Sequence, residues 1–507
     1  MPILYLCNQG SRTNQLKEIV KSKYSKFFLA GLVLNVLCAW FSKGFFHVDE
    51  HFQIAEFCNY KLGKISLYES PWEVKWRLRS TLMPYLFYWL SRFLEFIGLY
   101  SPFFIAFVFR LFSGIAAWFI TCRMCLLLIP QIKTQTGQRL LIIMSMLLWF
   151  VPFLSVRFSA ENMSGLAFLY GAYLILRVQE GKTSNTSVYF FAGLLFGLSC
   201  FIRIQLSFAV AGFLLWFIKD KKIEWKHLGI MFLAVLIAVG LNSIIDSLFY
   251  GTPTFTPFNY FYVNIVQHKA QTYGISPWYF YITEYIVEAA PPLSVLFLIM
   301  FITGVYVCRN NPLVWAIVPF IIMHFFIGHK EYRFLFPLAS VFVFVCAFGL
   351  DQWLQNEKYK KIHKYIYRAV VIINIPFLIY RTFIPAEATV NYSKYIYYNV
   401  KGNPPVLFIL SDIPDYTMLS ANASFYKNPD IDLIYIKKTE DLADYIRGNN
   451  LKTAYYLDRT KVGTNYEIVG YKKEMVYSIY PDWLLKYNLN NWKARTQIWM
   501  IYKFTKE

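Results

Sequence analysis

Residues 103–129 read FFIAFVFRLFSGIAAWFITCRMCLLLI, an apolar run interrupted by two charges, Arg110 and Arg123. As a helix rising about 1.5 Å per residue, it is long enough to cross the roughly 30 Å hydrocarbon core of a bilayer. Further apolar blocks stand at 27–40, 140–154, 231–245, 314–327 and 341–350. Of the 507 residues, 57% are hydrophobic and 20% aromatic, and the mean hydropathy is +0.39. A soluble chain of this length has too little interior to hide so much apolar side chain. The blocks therefore read as helices whose solvent is lipid. The expected fold class is an α-helical polytopic membrane protein.

The formal net charge of +20 could suggest nucleic acid, but no basic face of a folded domain accompanies it. The lysines and arginines sit instead in short clusters between apolar blocks, as at 219–226 and 358–368, the pattern of cytoplasmic loops. Lys17, Lys21, Lys23 and Lys26 precede the first block, which places the N-terminus in the cytoplasm. That block lacks a small-residue cleavage site and reads as a retained span. Segment 44–81 then falls on the far side, in the lumen or periplasm. Its charges alternate with aromatics, which suits interfacial helices on the membrane surface. By the same logic 177–182, 309–311 and 358–368 are cytoplasmic, whereas 155–165, 250–277 and 328–333 are not.

One parity problem arises. Segment 134–139 also looks cytoplasmic, so either 102–129 forms two short helices or 82–97 does not span. Both choices give an odd total of about 11–13 spans and a far-side C-terminus. From 385 to 507 the apolar runs shorten to 406–410, 433–436, 454–457 and 498–502, with a helical pattern at 439–447. This predicts a small mixed α/β domain in water, following a transmembrane domain over 1–384. Most of the eight cysteines lie in or beside apolar blocks and none follows Cys346, so no disulfide framework is expected. The four sequons, at Asn162, Asn185, Asn391 and Asn422, do not separate eukaryote from bacterium.

Ionisable groups are costly near a membrane, so their clusters mark candidate chemistry. The first cluster is His47-Val48-Asp49-Glu50-His51-Phe52-Gln53, just after the first span. If it is helical, Asp49, Gln53 and Glu56 share one face, and His47, Glu50 and His51 another. Three readings stand side by side: a carboxylate base with hydrogen-bonding neighbours, a metal site using His47, Asp49 and His51, or a solvated loop that ends the span. The second cluster is Gly328-His329-Lys330-Glu331-Tyr332-Arg333-Phe334, on the same predicted side. In a helix, Lys330 and Arg333 at i and i+3 could meet one phosphate. Its bland reading is a basic loop, though such loops belong on the cytoplasmic side. Arg203 snorkels to headgroups or binds an anion, and Arg79 in Arg79-Ser80-Thr81-Leu82-Met83-Pro84 has the same two options. Asp246 and the stretch 250–253 read as structure.

Together these motifs resemble glycosyltransferase family 22, whose hallmarks are H-x-D-E-x-F-Q/N in the first luminal loop and H-K-E-x-R-F near the last spans. The resemblance covers roughly residues 25–384. Within the family, Phe52-Gln53 and Ser411-Asp412-Ile413-Pro414-Asp415-Tyr416 resemble the branch that acts at the third mannose of glycosylphosphatidylinositol (GPI) assembly, although the latter segment lacks that branch's usual Cys and His. The resemblance implies a GT-C fold and an inverting mannosyl transfer from a polyprenyl- or dolichol-phosphate-mannose donor to a glycolipid acceptor, with α-1,2 linkage. It also implies the endoplasmic reticulum membrane with a luminal site, or for a bacterial member the inner membrane with a periplasmic one. Such a transfer needs a base for the acceptor hydroxyl and cations for the departing phosphate. Asp49 is the candidate base, with Glu50 as fallback. His47, Gln53, Arg79, Arg203, His329, Lys330, Glu331 and Arg333 are candidate substrate-binding residues. No metal and no cofactor is expected; the partners are the two lipid substrates and membrane lipids, without nucleic acid. Same-family alternatives are lipid-linked-oligosaccharide or bacterial glycolipid transferases. A lipid flippase is the rival from another class, but the charges cluster on one face and no inverted repeat is evident.

Overall fold

The computed structural model describes residues 17–179, 181, 186–220, 222–356, 360–410, 423–438, 440–458, 467–496 and 498–507. Segment 411–416, Lys221, Lys358 and the sequon residues Asn185 and Asn422 lie outside the described residues. The chain divides into two compact units. One comprises the described residues of Met1–Ser42 with Trp76–Tyr85 and Phe107–Ile384, and the other Lys43–Lys75, Leu86–Ala106 and Pro385–Glu507.

The first unit is helical. Among the described residues, Pro102–Gln131, Trp225–Tyr250, Tyr332–Leu354 and Tyr365–Phe383 are long and apolar enough to cross a membrane. Ser25–Phe41, Ser187–Ile202, Leu206–Lys219, Leu293–Val307 and Pro312–Phe326 are shorter apolar helices. Gln135–Leu147 with Phe150–Ser155, and Ala160–Gln179, supply further helical stretches between them. The parity problem has a clear outcome. Pro102–Leu128 is one unbroken helix, so the two-helix alternative fails. Leu82–Phe96 is a 15-residue helix outside both apolar groups. Its far end carries Arg92 and Glu95, paired at 3.2 Å, in place of apolar residues. This leaves the reading in which 82–97 does not span as the one compatible with an alternating charge pattern.

Small residues let these helices approach closely, the usual packing device in lipid. A Cβ added at Gly349 would lie 2.0 Å from the Met300 carbonyl oxygen, so helix Leu293–Val307 can seat against Ala339–Leu354 only because that position is bare. The main core gathers Phe168, Phe196, Phe213, Phe217, Phe320 and Phe344 from five different helices.

The second unit holds a five-stranded sheet: β1 Val406–Leu410, β2 Asp432–Ile436, β3 Thr453–Asp458, β4 Tyr471–Ser478 and β5 Met500–Lys506. The order is β2-β1-β3-β5-β4, with β1 parallel to β2 and β3, and β5 antiparallel to β3 and β4. Alternation sends Val406, Phe408, Ala454, Tyr456 and Phe504 to the face covered by helix Glu440–Gly448, which contributes Leu442 and Ile446. Leu407, Ile409, Tyr455, Leu457 and Ile501 pack on the other face with Tyr392 and Ile396 of helix Thr389–Asn399. The expected mixed α/β character holds, and two elements are added. β4 is an edge strand whose charged Lys472, Lys473 and Glu474 hid it from a search for apolar runs. Helix Thr389–Asn399 is rich in tyrosine and reads weakly as a helix.

Candidate active site

In the second unit, His47 precedes the short helix Val48–His51 with extended backbone (φ −129°, ψ 142°). Its Nδ1 accepts the Asp49 N–H at 3.3 Å, taking the place a Ser or Asp side chain commonly fills at a helix start. The helix then widens into a π-turn over Phe52–Glu56 before continuing as Phe57–Leu62. Gln53 Nε2 donates to Asp49 Oδ2 at 2.7 Å and lies 3.5 Å from Glu73 Oε1, which fixes the orientation of the Asp49 carboxylate. Glu50 Oε2 accepts the Phe46 N–H at 3.2 Å, so the two neighbouring carboxylates engage different partners. Both Asp49 and Glu50 remain half-buried.

The π-turn corrects one expectation. A regular helix would set Glu56 with Asp49 and Gln53, but the wider turn brings His51 Nε2 to Glu56 Oε1 at 2.8 Å across five residues. Glu56 is fully buried and also accepts the Ser424 N–H (2.8 Å), the Ser424 hydroxyl (2.6 Å) and the Phe425 N–H (2.9 Å). Burial opposes its ionisation, yet the bonds from His51, Ser424 and Phe425 prevail and hold its carboxyl below the usual range. The His51 ring stacks on Tyr426 at 5.5 Å. His47 and His51 thus serve separate partners, and among the described residues no three His, Cys, Asp or Glu side chains are grouped to hold a metal.

In the first unit, the second motif is not helical where helix was assumed. Glu331 is extended (φ −134°, ψ 138°) and a 3-10 turn begins only at Tyr332. Lys330 and Arg333 therefore do not converge. The buried Lys330 donates to the carbonyls of Ser276 (3.0 Å) and Ile327, and burial holds its ammonium below the ordinary lysine range. Arg333 donates through Nε to Glu331 Oε2 (2.7 Å) and through Nη2 to Glu331 Oε1 (3.1 Å). His329 joins them, with Nε2 3.1 Å from Glu331 Oε1 and Nδ1 3.1 Å from the Gly274 carbonyl. Arg333 Nη1 reaches Glu161 Oε1 at 3.0 Å, and the same oxygen accepts Arg203 Nη2. One buried carboxylate thus bridges two buried guanidiniums. The backbone makes this possible. A Cβ at Gly165, one turn beyond Glu161, would fall 2.2 Å from the Pro337 carbonyl oxygen, so glycine lets helix Ala160–Gln179 close on the segment that carries Arg333.

Arg203 also lines a small open cleft with Arg79, Ser80, Gln205, Thr256 and Tyr260. Three side chains from one region hold the turn at 77–81 that forms its wall. Asn259 Nδ2 donates to the Arg77 carbonyl (3.2 Å) and the Tyr250 hydroxyl to the Arg79 carbonyl (3.0 Å). Asp246 Oδ1 accepts both the N–H and the hydroxyl of Thr81 (2.7 Å each), while its Oδ2 takes the Thr256 hydroxyl (2.7 Å). Arg77 itself sits at φ 53°, the left-handed region that a non-glycine enters only when its surroundings hold it there. The Arg79 guanidinium lies 5.1 Å from the Tyr260 ring centre. Burial keeps the Arg203 guanidinium below its usual pKa; Glu161 opposes this, and the charges of Arg79 and Arg333 add to it. Asp246 is structural, as read from sequence. Glu161 was missed: it stood in a segment taken as a loop, although an acid opening an apolar block on the motif side was the available signal.

Comparisons with known proteins place the chain among relatives. The model of the Alg9-like mannosyltransferase family matches residues 26–397. GPI mannosyltransferase 3 of Yarrowia lipolytica is 28% identical over 349 residues, covering 66% of this chain and 63% of that protein. The Candida albicans protein of the same name is 24% identical over 422 residues, covering 82% and 79%, and GPI alpha-1,2-mannosyltransferase 3 of Mus musculus is 23% identical over 401 residues, covering 77% and 69%. The chain thus spans a little under two thirds of the Yarrowia protein. The crystal structure of ArnT from Cupriavidus metallidurans bound to undecaprenyl phosphate superposes with a TM-score of 0.55 at 9% identity, covering 95% of this chain and 98% of ArnT, a likeness of fold. Since the family match takes in both motifs and nearly three quarters of the sequence, the chain belongs to the Alg9-like mannosyltransferase family.

Proposed function

We propose that this protein is an inverting mannosyltransferase of GPI-anchor assembly, using a dolichol- or polyprenyl-phosphate-mannose donor and forming an α-1,2 linkage on a glycolipid. The observation that carries the reading is the family match over both motifs, together with relatives named GPI mannosyltransferase 3. Asp49, oriented by Gln53, takes the proton of the acceptor hydroxyl as that oxygen attacks the anomeric carbon from the face opposite the phosphate. The bond between the anomeric carbon and the phosphate oxygen breaks, and the lipid phosphate leaves with its electron pair. The charge that develops there is met by Arg203, Arg333 and Arg79. Glu50, held by the Phe46 N–H, is the second carboxylate beside the base. Lys330 braces the motif loop through two carbonyls, and His329 and Glu331 orient Arg333. The enzyme works in the endoplasmic reticulum membrane with its site on the luminal side.

The test supplies purified protein with labelled lipid-phosphate-mannose and a panel of GPI precursors, lipid-linked oligosaccharides and simple glycolipids. Transfer to a GPI precursor bearing two mannoses, with product released by an α-1,2-specific mannosidase, is the expected result. Transfer to lipid-linked oligosaccharide alone would move the reading to another branch of the family, and no transfer to any acceptor would refute it.

A further inference from the structure

We propose that Ser80 is a ligand of a phosphoryl oxygen in the Arg79–Arg203 cleft, and that Glu161 is the positioning residue that aims Arg203 at it. This rests on the lipid-phosphate reading above and adds two residues to it.

Two polar atoms in the cleft residues carry the inference. Arg203 Nε and Ser80 Oγ are buried and have no hydrogen-bond partner among the described residues. Both residues line the cleft, which Arg79 enters with its guanidinium laid over Tyr260. Leaving a buried donor unmet is unfavourable. An unmet Nε–H on the Arg203 guanidinium and an unmet Ser80 hydroxyl, with the Arg79 guanidinium in the same cleft, suit a ligand that brings several acceptor oxygens and negative charge, as a phosphate monoester or diester does. Two polar groups of the walls are already engaged. Tyr260 receives Gln205 at 3.3 Å, and the Thr256 hydroxyl is committed to Asp246. The turn that carries Ser80 is pinned on both sides, at Arg79 and Thr81, so its hydroxyl is placed before any ligand arrives.

Glu161 sets the other half. Its Oε1 binds Nη2 of Arg203 and Nη1 of Arg333, which keeps two like charges side by side and leaves the Nε edge of Arg203 for another partner. Without that carboxylate the two guanidiniums repel and Arg203 turns away. This predicts a sign that a purely electrostatic role cannot give. If Glu161 did no more than dilute positive charge, removing its charge would tighten anion binding. As a positioning residue, its loss weakens it.

The experiment measures binding of polyprenyl monophosphate to the full-length protein in micelles, with polyprenol and inorganic phosphate as parallel probes. Wild type should bind the lipid phosphate well above polyprenol, and inorganic phosphate should compete, which separates headgroup from tail. Ser80→Ala should weaken lipid-phosphate binding roughly three- to tenfold, the size of one hydrogen bond, and leave polyprenol unchanged. Glu161→Gln should also weaken it, with Glu161→Asp recovering part of the loss. In the transfer assay the Ser80 change should raise the donor KM and leave the acceptor KM alone. Unaltered binding in Ser80→Ala, a folded protein whose lost hydroxyl had no partner, would overturn the subsite. Tighter binding in Glu161→Gln would overturn the positioning role. A protein that binds lipid phosphate in this Ser80-dependent way but transfers no mannose would leave the subsite standing and remove the proposed function.

Discussion

Glu56 offers a direct test of how the first motif is held. Its carboxylate takes His51 Nε2, the Ser424 N–H and the Phe425 N–H on one oxygen and the Ser424 hydroxyl on the other, all within the second unit. Glu56→Gln keeps the shape and one acceptor oxygen but removes the charge. Hydrogen bonds to a charged acceptor are worth about 1.5–3 kcal/mol each against about 1 kcal/mol for neutral ones, and Glu56→Gln converts every bond its remaining oxygen keeps from the first kind to the second. The net expectation is therefore about 2–4 kcal/mol of local stability. At roughly 1.4 kcal/mol per factor of ten, the Ser424 and Phe425 amides should exchange with deuterium some thirty- to several-hundredfold faster. The pH dependence follows from the direction of the shift. The folded-state pKa lies below the unfolded one, so the stabilisation is complete above the ordinary carboxylate pKa of about 4.3 and disappears as pH falls through the lower folded value. Wild type and Glu56→Gln should differ fully at neutral pH and converge in strong acid. Exchange at 424–425 within threefold of wild type at pH 7 would refute the latch.

Asp49→Asn should lower turnover by about 10²–10⁴ with both lipids still bound, and Glu50→Gln should cost less; near-normal turnover in Asp49→Asn would remove it from the base role. If the site is instead built on a metal, chelator should abolish transfer, and His47→Ala and His51→Ala should be as damaging as Asp49→Asn. Arg333→Lys loses the fork that binds both Glu331 oxygens and reaches Glu161, so donor kcat/KM should fall at least about tenfold; full activity of both Arg333→Lys and Arg333→Ala would exclude a role at the phosphate. Cysteines placed at the exposed Ser66 and at Asn428 should react with an impermeant reagent from the luminal side and one at the exposed Lys226 should not, whereas labelling of all three from one side would overturn the sidedness.

The apolar helices were legible because hydropathy is a local property, readable without knowing what packs on what. The runs at 406–410 and 454–457 were legible for the same reason, lying in strands buried on both faces, and 433–436 because even at the sheet edge it keeps an apolar run. Strand 471–478 was not, since an edge strand facing water carries charge where a central strand carries Val or Ile. In the site, residue types exposed the two motifs but not their geometry. No sequence signal marks the π-turn that moves Glu56 from Asp49 to His51. Nor does any show that backbone carbonyls claim Lys330. Glu161 and Ser80 matter because of what lies across from them, in segments far away along the chain.

The π-turn also bears on how this chain should be aligned with its relatives. A π-turn holds one residue more than the α-turn it replaces, and the helix beyond it resumes as though that residue were absent. Upstream and downstream of 52–56 the helix therefore runs on two counting frames, one reading Asp49 with Gln53 and the other His51 with Glu56. A relative one residue shorter between Gln53 and Glu56 would merge the frames into plain α-helix and keep both pairs at i,i+4. A single-residue gap in that interval is then a change of helical gauge that conserves the site, whereas a gapless alignment would set the partner of His51 against an unrelated position.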